Sequence, residues 1–477
     1  MSKKPLQHKP SLRARWIIYP IVGVIFAFFL SVLLMLANGY LPEWSAGKLT
    51  FKKTGMIILA VRPLDARIFV NSVYKENTSV YLLPNKINNL LPGDYKIRIE
   101  KKGYRTWEKT LRVEPGLVTW ANYVLLYTDK LDIRAVDGLS GEALATNDNG
   151  RYLFYAGSKD GKFYATSYET SGLSKHSFWP KDTSTLPDWL KSPEVLSASF
   201  SQNSDKVLLT VKNGESVQYV VSETSGNDAK LTILNDQLKS TVAGVSWSPT
   251  ENDAIFANIS GNLYHTRISS TALGEPLVDG VISFKLEASR LLYYARKAVS
   301  GNISIARSNL DGTGKVTILD SIAPSGGYQF AHTGDTDSLA VRSTDTGDLL
   351  LISPASGDNN VVVRLGKGYK NISWQKNGQK LLYYDENTLY RYDIERKKES
   401  HFTYGGKLKS AVWYFDDCHY LLNGENGLEI VEYDGANPLV LSFTAASTVA
   451  LDAQNYNLVY STIKDGVSEY SRFTNPH

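Results

Sequence analysis

Three hydrophobic patterns follow one another along the chain. From Trp16 to Asn38 the residues run for 23 positions without a formal charge. At about 1.5 Å per residue, a helix of that length crosses a hydrocarbon layer of roughly 30 Å. The stretch is apolar all round, which does not suit a helix burying one stripe against a core. Beyond it the period changes to two. Tyr95-Lys-Ile-Arg-Ile-Glu100 alternates apolar and charged residues, as a half-buried strand does, and Arg67-Ile-Phe-Val-Asn71 and Thr110-Leu-Arg-Val-Glu114 repeat the pattern. Met56 to Val61 is apolar on both faces, which predicts a central strand. Between these two regions, Gly39 to Thr54 carries Gly39, Pro42 and Gly47 and no sustained period, and is expected to be irregular.

The third pattern is a repeat. A short apolar strand, a polar turn and a second strand rich in Leu and Tyr recur in Val245–Phe256, Ile372–Tyr383 and Ala411–Leu422, with looser copies starting near Ala143, Leu196, Ile282, Tyr328 and Val449. A third strand of the type Leu-Tyr-x-x-x-Ile follows, clearest in Gly261–Ile268 and Asn387–Ile394. Eight copies over residues 129–477 give about 44 residues per unit, the length of a four-stranded propeller blade. The last unit ends at Ser468–Phe473 without a fourth strand, while Leu131-Asp-Ile-Arg-Ala135 precedes the first unit without a partner. This arrangement predicts that Leu131–Ala135 completes the last blade and closes the ring. The expected fold is all-β apart from one N-terminal transmembrane helix: a small β-sandwich followed by a seven- or eight-bladed β-propeller, eight being preferred. In residue numbers this means a basic tail (1–15), the helix (16–38), a juxtamembrane linker (39–54), the sandwich (55–128) and the propeller (129–477).

Charge adds an orientation. Lys3, Lys4, Lys9, Arg13 and Arg15 precede the apolar stretch with no acidic residue among them, and setting these five aside leaves 47 basic against 48 acidic residues. The basic excess therefore belongs to the tail and gives no argument for nucleic-acid binding. On the far side Glu43 comes first, with Lys48, Lys52 and Lys53 further out. The positive-inside rule then places the N-terminus in the cytoplasm and the remainder outside, in a single-pass plasma-membrane topology. Trp16, Tyr19, Tyr40 and Trp44 stand where interfacial aromatics anchor both ends of a membrane helix. A signal peptide has a shorter apolar region and a small-x-small cleavage site, and Ala37 and Gly39 make a poor one, so an uncleaved anchor is the expectation. Cys418 is the single cysteine, which excludes an intramolecular disulfide and reads as a small apolar filler. A reactive thiol there would need a cationic setting.

Two resemblances follow. Val61-Arg-Pro-Leu-Asp-Ala66, Ile68-Phe-Val-Asn71, Leu90-Leu-Pro-Gly-Asp-Tyr95, Lys102-Gly-Tyr-Arg105 and Leu111-Arg-Val113 come in an order that resembles the PEGA domain, a small extracytoplasmic β-sandwich of bacteria and archaea. Pro63 and Ala66 fit the naming tetrapeptide; Leu64 and Asp65 replace its Glu and Gly. The resemblance implies a surface module near a membrane anchor, without catalytic residues. The repeats resemble bacterial WD40-like propellers of the TolB type, with the Leu-Tyr strand but without the Gly-His and Trp-Asp marks of eukaryotic WD40; only Trp247, Trp374 and Trp413 keep the first-strand Trp.

Candidate chemistry is sparse. The seven histidines, His8, His176, His265, His332, His401, His419 and His477, are scattered singly. H-E-x-x-H, G-x-S-x-G and G-x-x-x-x-G-K are absent from the sequence, so no metal, no cofactor and no catalytic residue is expected. Thr146-Asn-Asp-Asn-Gly150 is faintly like a calcium loop, but falls where every other copy has a polar hairpin turn; Asp335/Asp337 and Asp416/Asp417 read the same way. Aromatics at strand positions read as packing between blades rather than as a sugar-binding face. One segment breaks the repeat: Phe178–Pro193 joins the first two units and carries Trp179 and Trp189. Long loops on rigid scaffolds tend to be functional, so it is a candidate partner-contact loop, set against a lid packed on the propeller. The sequence thus predicts a membrane-anchored extracytoplasmic binding or scaffold protein for envelope protein or polysaccharide. An enzyme acting on glycans in the propeller channel (a hydrolase or lyase) is the alternative, and it requires acids clustered in that channel. An inward-signalling sensor comes third, disfavoured by a short tail.

Overall fold

The computed structural model describes residues 12–474 except 46, 79–82, 137–138, 140, 148, 171–173, 226–227, 299–300, 334–335, 355–359, 453–455 and 465–466. Lys3, Lys4, Lys9, His8, Asp148, Asp335 and His477 lie outside the described residues, as do the side chains of Arg13, Arg15, Glu43 and Lys48. The chain divides into two compact units between Lys130 and Leu131.

In the first unit a helix spans Leu12–Ala37. Its segment Tyr19–Ala37, 19 residues of mean hydropathy 2.7, is covered by no other part of the protein. Gly39 stops it: at φ +79° it takes the left-handed conformation that favours glycine after a helix, and its N–H donates to the Leu36 carbonyl at 2.9 Å. The next segment departs from the expectation of an irregular linker. Tyr40–Ser45 and Lys48–Lys53 form an antiparallel hairpin, Tyr40 opposite Lys53 and Ser45 opposite Lys48. Gly47 (φ +74°) supplies the tight turn. The hairpin has no clean sequence signature because Pro42 interrupts one strand and hydrogen bonds outside it tie its ends. The Thr54 N–H and hydroxyl both donate to the Gly39 carbonyl, each at 2.7 Å.

The period-two region folds as expected into two facing sheets. One orders the strands Asn85–Leu90, Gly55–Arg62 and Val118–Leu125; the other orders Val73–Asn77, Arg67–Val70, Gly93–Glu100 and Trp107–Val113. Gly55–Arg62, the strand apolar on both faces, is central in its sheet. The alternating strands bury Ile68, Val70, Ile97, Ile99, Leu111 and Val113 and turn their charged neighbours outward, which is why their pattern was readable.

The second unit is a β-propeller. Among the described residues it forms eight antiparallel sheets, seven of four strands and one of three; in seven of them the strands follow one another in chain order, and the eighth takes its outer strand from the start of the unit. The second strand of each sheet is buried almost throughout, as in Ala254–Ile259 and His419–Gly424, because sheets pack on both of its faces. Fourth strands such as Lys398–Thr403 are largely exposed. The third sheet lacks its fourth strand: after Asn262–Arg267 the chain touches the edge only at a Leu263–Val278 bridge, and Pro276, without an N–H, interrupts the ladder. The closing strand is where the sequence puts it. Ile133–Ala135 pairs with Val467–Thr474 as the outer strand of the eighth sheet, extended by Thr474 N–H to the Asp132 carbonyl at 3.3 Å and Val136 N–H to the Tyr470 carbonyl at 2.9 Å.

The three retained tryptophans knit consecutive sheets together. Trp247 donates its indole N–H to the Ser199 carbonyl (3.0 Å), Trp374 to Ala331 (2.8 Å) and Trp413 to Ser373 (3.3 Å). Each acceptor lies on the innermost strand of the preceding sheet, one residue before the position equivalent to the tryptophan itself. These aromatics are packing and stapling groups.

Two predictions follow from these contacts. Trp374→Phe keeps a ring but removes the indole donor to the Ala331 carbonyl, and should lower propeller stability by about 0.5–1.5 kcal/mol, seen as a lower urea midpoint. Arg134→Pro removes the ladder hydrogen bond midway between the two flanking pairs and should cost about 3 kcal/mol locally. Hydrogen exchange should then rise first in Thr448–Asp452 and Asn457–Lys464, while Arg134→Ala leaves it unchanged; equal behaviour of the two variants would contradict the closing role.

Candidate functional site

A cavity of about 320 Å³ lies between the fourth and fifth sheets and has Asp348 in its wall. The turn after Ser338–Ser343 sets it up. Ser343 Oγ accepts from the Thr346 N–H (3.2 Å) and hydroxyl (3.1 Å) and donates to Ser325 Oγ (2.9 Å). Gly347 at φ +64° passes so close to Tyr369 that a Cβ would stand 2.5 Å from its backbone nitrogen. The turn is thereby fixed, and Asp348 emerges facing Arg364 on the neighbouring strand Val361–Gly366, with Oδ2 3.2 Å from the guanidinium. Asp348 Oδ1 is buried without a protein partner. Ser321, Thr346 and Lys367 add hydroxyls and a second cation, and Leu319, Ile322, Val341, Leu350 and Val362 make the apolar part of the wall. At the rim the Gly326 N–H (2.7 Å) and the Thr344 hydroxyl hold the Asp345 carboxyl below its ordinary range. A cavity with one half-satisfied carboxylate, two cations and several hydroxyls offers hydrogen bonds to a polar ligand. None of these residues carries a motif, and Asp348 has no local signal; its site exists only through pairing across the sheet.

Two other cavities differ in kind. A groove of about 1,050 Å³ runs between the second and third sheets, beside the missing strand. Its buried cation, Lys206, is fully compensated: burial disfavours its charge, but Asp253 (2.9 Å), Asp205 (3.2 Å) and Glu223 (3.3 Å) outweigh that and raise its pKa above the ordinary lysine range. The third cavity, about 370 Å³ among inner strands of the first, seventh and eighth sheets, is lined by Thr146, Asn147, Ser410, Asn423 and apolar neighbours, with no titratable side chain among the described residues.

Phe178 and Trp179, flagged in the sequence as part of a contact loop, are buried: Trp179 is 3% exposed and meets the Phe163 ring at 4.5 Å. Leu190, in the short helix Asp188–Lys191, is fully buried in the same cluster, and Trp189 packs half-buried against it. The structure thus places this segment as a cover over the first and second sheets, with Trp189 at its edge.

The polar turns behave alike. The N–H after the inner strand donates to the carbonyl opening the second strand at Asn147 (to Tyr152, 3.1 Å), Ser201 (to Lys206, 2.9 Å), Ser248 (to Ala254, 2.9 Å), Gln375 (to Lys380, 2.9 Å) and Tyr414 (to His419, 2.9 Å). The 146–150 segment is therefore one of a series of equivalent turns. Among the described residues no group of three or more His, Cys, Asp or Glu is placed to hold a metal ion. Asp337 sits between His332 Nε2 (3.1 Å) and the Arg307 guanidinium (3.4 Å), and Glu287 nearby is raised above its ordinary pKa by burial. None of the three cavities reaches that cluster. Asp416 is partnered by His419 Nδ1 at 2.5 Å and by the N–H groups of Cys418 and His419, both at 3.0 Å. Burial opposes its ionisation, but these bonds outweigh burial and hold it below the ordinary range.

Comparison with known proteins bears on the two units separately. Residues 54–128 match the PEGA domain family. A comparison with curated proteins finds no match. Among solved structures the chain is similar to the Dos1 propeller, at 10% identity over 72% of this chain and 94% of that one, with a TM-score of 0.48. It is also similar to an oligogalacturonate lyase in complex with manganese (11% identity, 71% and 99% covered, TM-score 0.39). A third is the WD40 domain of Toxoplasma gondii coronin (12% identity, 70% and 90% covered, TM-score 0.39).

The setting of Cys418 yields a prediction. Burial, with Asp416 and Asp417 beside it, pushes the thiol up to about 11, the opposite of an activating environment. At pH 8 the folded protein should carry about 100-fold less thiolate than a thiol of pKa 9, and should react with iodoacetamide correspondingly more slowly than the urea-unfolded chain. Equal rates in the two states would show that the thiol is not shielded.

Proposed function

We propose that this chain is a membrane-anchored binding protein of the bacterial cell envelope. In this reading the apolar helix holds it in the plasma membrane, the basic tail lies in the cytoplasm, and the PEGA domain and a TolB-like propeller lie outside. Support comes from the uncovered apolar helix, from the charge bias across it and from the PEGA match at residues 54–128. The ligand class is an envelope polysaccharide, with envelope protein as the other partner to test.

The observation that carries the reading is the cavity at Asp348. A buried carboxylate oxygen without a partner costs about 1–3 kcal/mol unless something donates to it, and a sugar hydroxyl is a donor of the right kind. Arg364 and Lys367 beside it favour acidic groups on the same ligand, and the apolar wall suits the C–H face of a sugar ring. No catalytic step belongs to the proposal.

The test uses the full chain in lipid nanodiscs against fractionated envelope polysaccharide and solubilised envelope protein. Asp348→Asn and Arg364→Ala should each weaken polysaccharide binding by about tenfold, equivalent to about 1.4 kcal/mol, without loss of fold. Unchanged binding in both variants removes this cavity from the function, and binding to envelope protein alone reassigns the ligand class.

A further inference from the structure

The hairpin that follows the apolar helix has two unlike faces. In an antiparallel pair, directly opposite residues share a face, as do residues two apart on one strand. Pro42 stands opposite Phe51, and Tyr40 opposite Lys53. Tyr40, Pro42, Trp44, Phe51 and, at the base, Lys53 therefore fall on one face, and Leu41, Thr50 and Lys52 on the other. Much of the aromatic face is left uncovered: Trp44 is 73% exposed and Phe51 40% exposed, while Tyr40 is half-buried.

A two-stranded hairpin alone is marginal in water. This one is tied at its base. Thr54 donates twice to the Gly39 carbonyl, and the Gly116 N–H donates to the Thr54 carbonyl at 2.8 Å, joining the hairpin to the sandwich. Only Asn38 and Gly39 separate it from the helix. Its exposed aromatic face thus begins where the apolar span ends. Trp44 lies four strand positions from the base, about 13 Å away if the hairpin stood upright, whereas the interfacial layer of one leaflet is only about 5–7 Å deep. Lying flat, the hairpin keeps all four apolar groups within that layer, where Trp and Tyr are favoured.

We propose that the aromatic face of residues 40–53 is a membrane-interface anchor, lying on the same bilayer that the helix enters, with lipid as its partner. This rests on the membrane-anchor reading above and extends it: the sandwich is then held against the membrane surface at two places, by the helix and by the hairpin, and is not carried on a loose stalk.

The experiment reconstitutes the full chain, with Cys418→Ser, in vesicles of phosphatidylcholine and phosphatidylglycerol. Single spin labels are placed through Leu33→Cys, Trp44→Cys, Phe51→Cys or Thr50→Cys, and accessibility to oxygen is compared with accessibility to a water-soluble nickel chelate. Leu33 should report a deep lipid position. Labels at 44 and 51 should report shallow lipid contact, with an oxygen-to-nickel ratio at least about threefold above that at 50. Ratios at 44 and 51 equal to that at 50 would overturn the proposal, and so would strong dipolar broadening between copies at 44, which would make a second chain the occupant. Each of these results leaves the anchor reading intact if Leu33 is deep. A water-exposed Leu33 would overturn the anchor reading together with the proposal.

Discussion

The propeller depends on its last sheet meeting its first. The second strands that give the repeats their apolar runs bury both faces, so an open array would end in two exposed apolar surfaces. Closure removes them. Leu153, Tyr155 and Tyr168 of the first sheet pack with Ala450, Val459 and Tyr470 of the eighth in one cluster. Returning each larger side chain to water would cost about 1.5–3 kcal/mol, so that a few of them equal the 5–15 kcal/mol by which a typical protein is stable. Polar contacts fix the register of this seam: the Thr170 hydroxyl donates to Asp452 Oδ2 at 2.5 Å, Tyr470 to the Gly141 carbonyl at 2.8 Å and Thr448 to the Ala143 carbonyl at 3.0 Å. Gly150 marks how tight it is, since a Cβ there would stand 1.7 Å from the Leu451 carbonyl oxygen. The strand Ile133–Ala135 completes the eighth sheet from the other end of the unit, so neither terminus of the propeller can be lost without opening the ring.

The joints between other sheets explain why the repeats have diverged so far. The tryptophan staples end on backbone carbonyls, which every residue type supplies: the acceptors are Ser199, Ala331 and Ser373. A staple therefore constrains only the donor's side of a joint. At the joint between the first and second sheets, where the tryptophan is lost, a turn-to-turn hydrogen bond serves, between Asn147 and Ser204 at 3.1 Å; at the joint stapled by Trp247 the Asn203 N–H to Asn252 bond at 3.0 Å adds to the staple. Geometry is kept while the residues that enforce it change from joint to joint.

What could be read from the sequence follows from the range of the interactions. Alternation in Gly93–Glu100, the two-sided apolar strand Gly55–Arg62 and the recurring strand–turn–strand units are local patterns, and they place the sandwich and the repeats. The closing strand was legible because one segment lacked a partner and one sheet lacked a strand. The hairpin at Tyr40–Lys53 was not, because Pro42 breaks its pattern and its stability comes from Thr54 and Gly39. The missing strand of the third sheet was equally hidden: Pro276 forbids a ladder there, but nothing nearby announces that one was due. The Phe178–Pro193 segment stood out by its length and its two tryptophans, as a contact loop or a packed lid; that Phe178, Trp179 and Leu190 are core residues depends on long-range packing and had no local signal. The Asp348 cavity could not be seen at all, since Asp348, Arg364 and Ser321 meet only through sheet pairing and the packing of adjacent sheets.

The interior charges themselves separate structure from candidate function. Burying a charge is tolerable only when it is fully compensated. Lys206 meets that condition with three carboxylates, and Asp416 with a histidine nitrogen and two backbone N–H groups; each closes a network and leaves nothing to offer a ligand. Asp348 does not meet it. One oxygen faces Arg364 while the other is buried without a protein donor, beside hydroxyls and a second cation in an open cavity. A fold that compensates Lys206 and Asp416 so fully has the means to compensate Asp348 as well, and a half-compensated carboxylate in the wall of a cavity is where a binding function and a packing requirement part company.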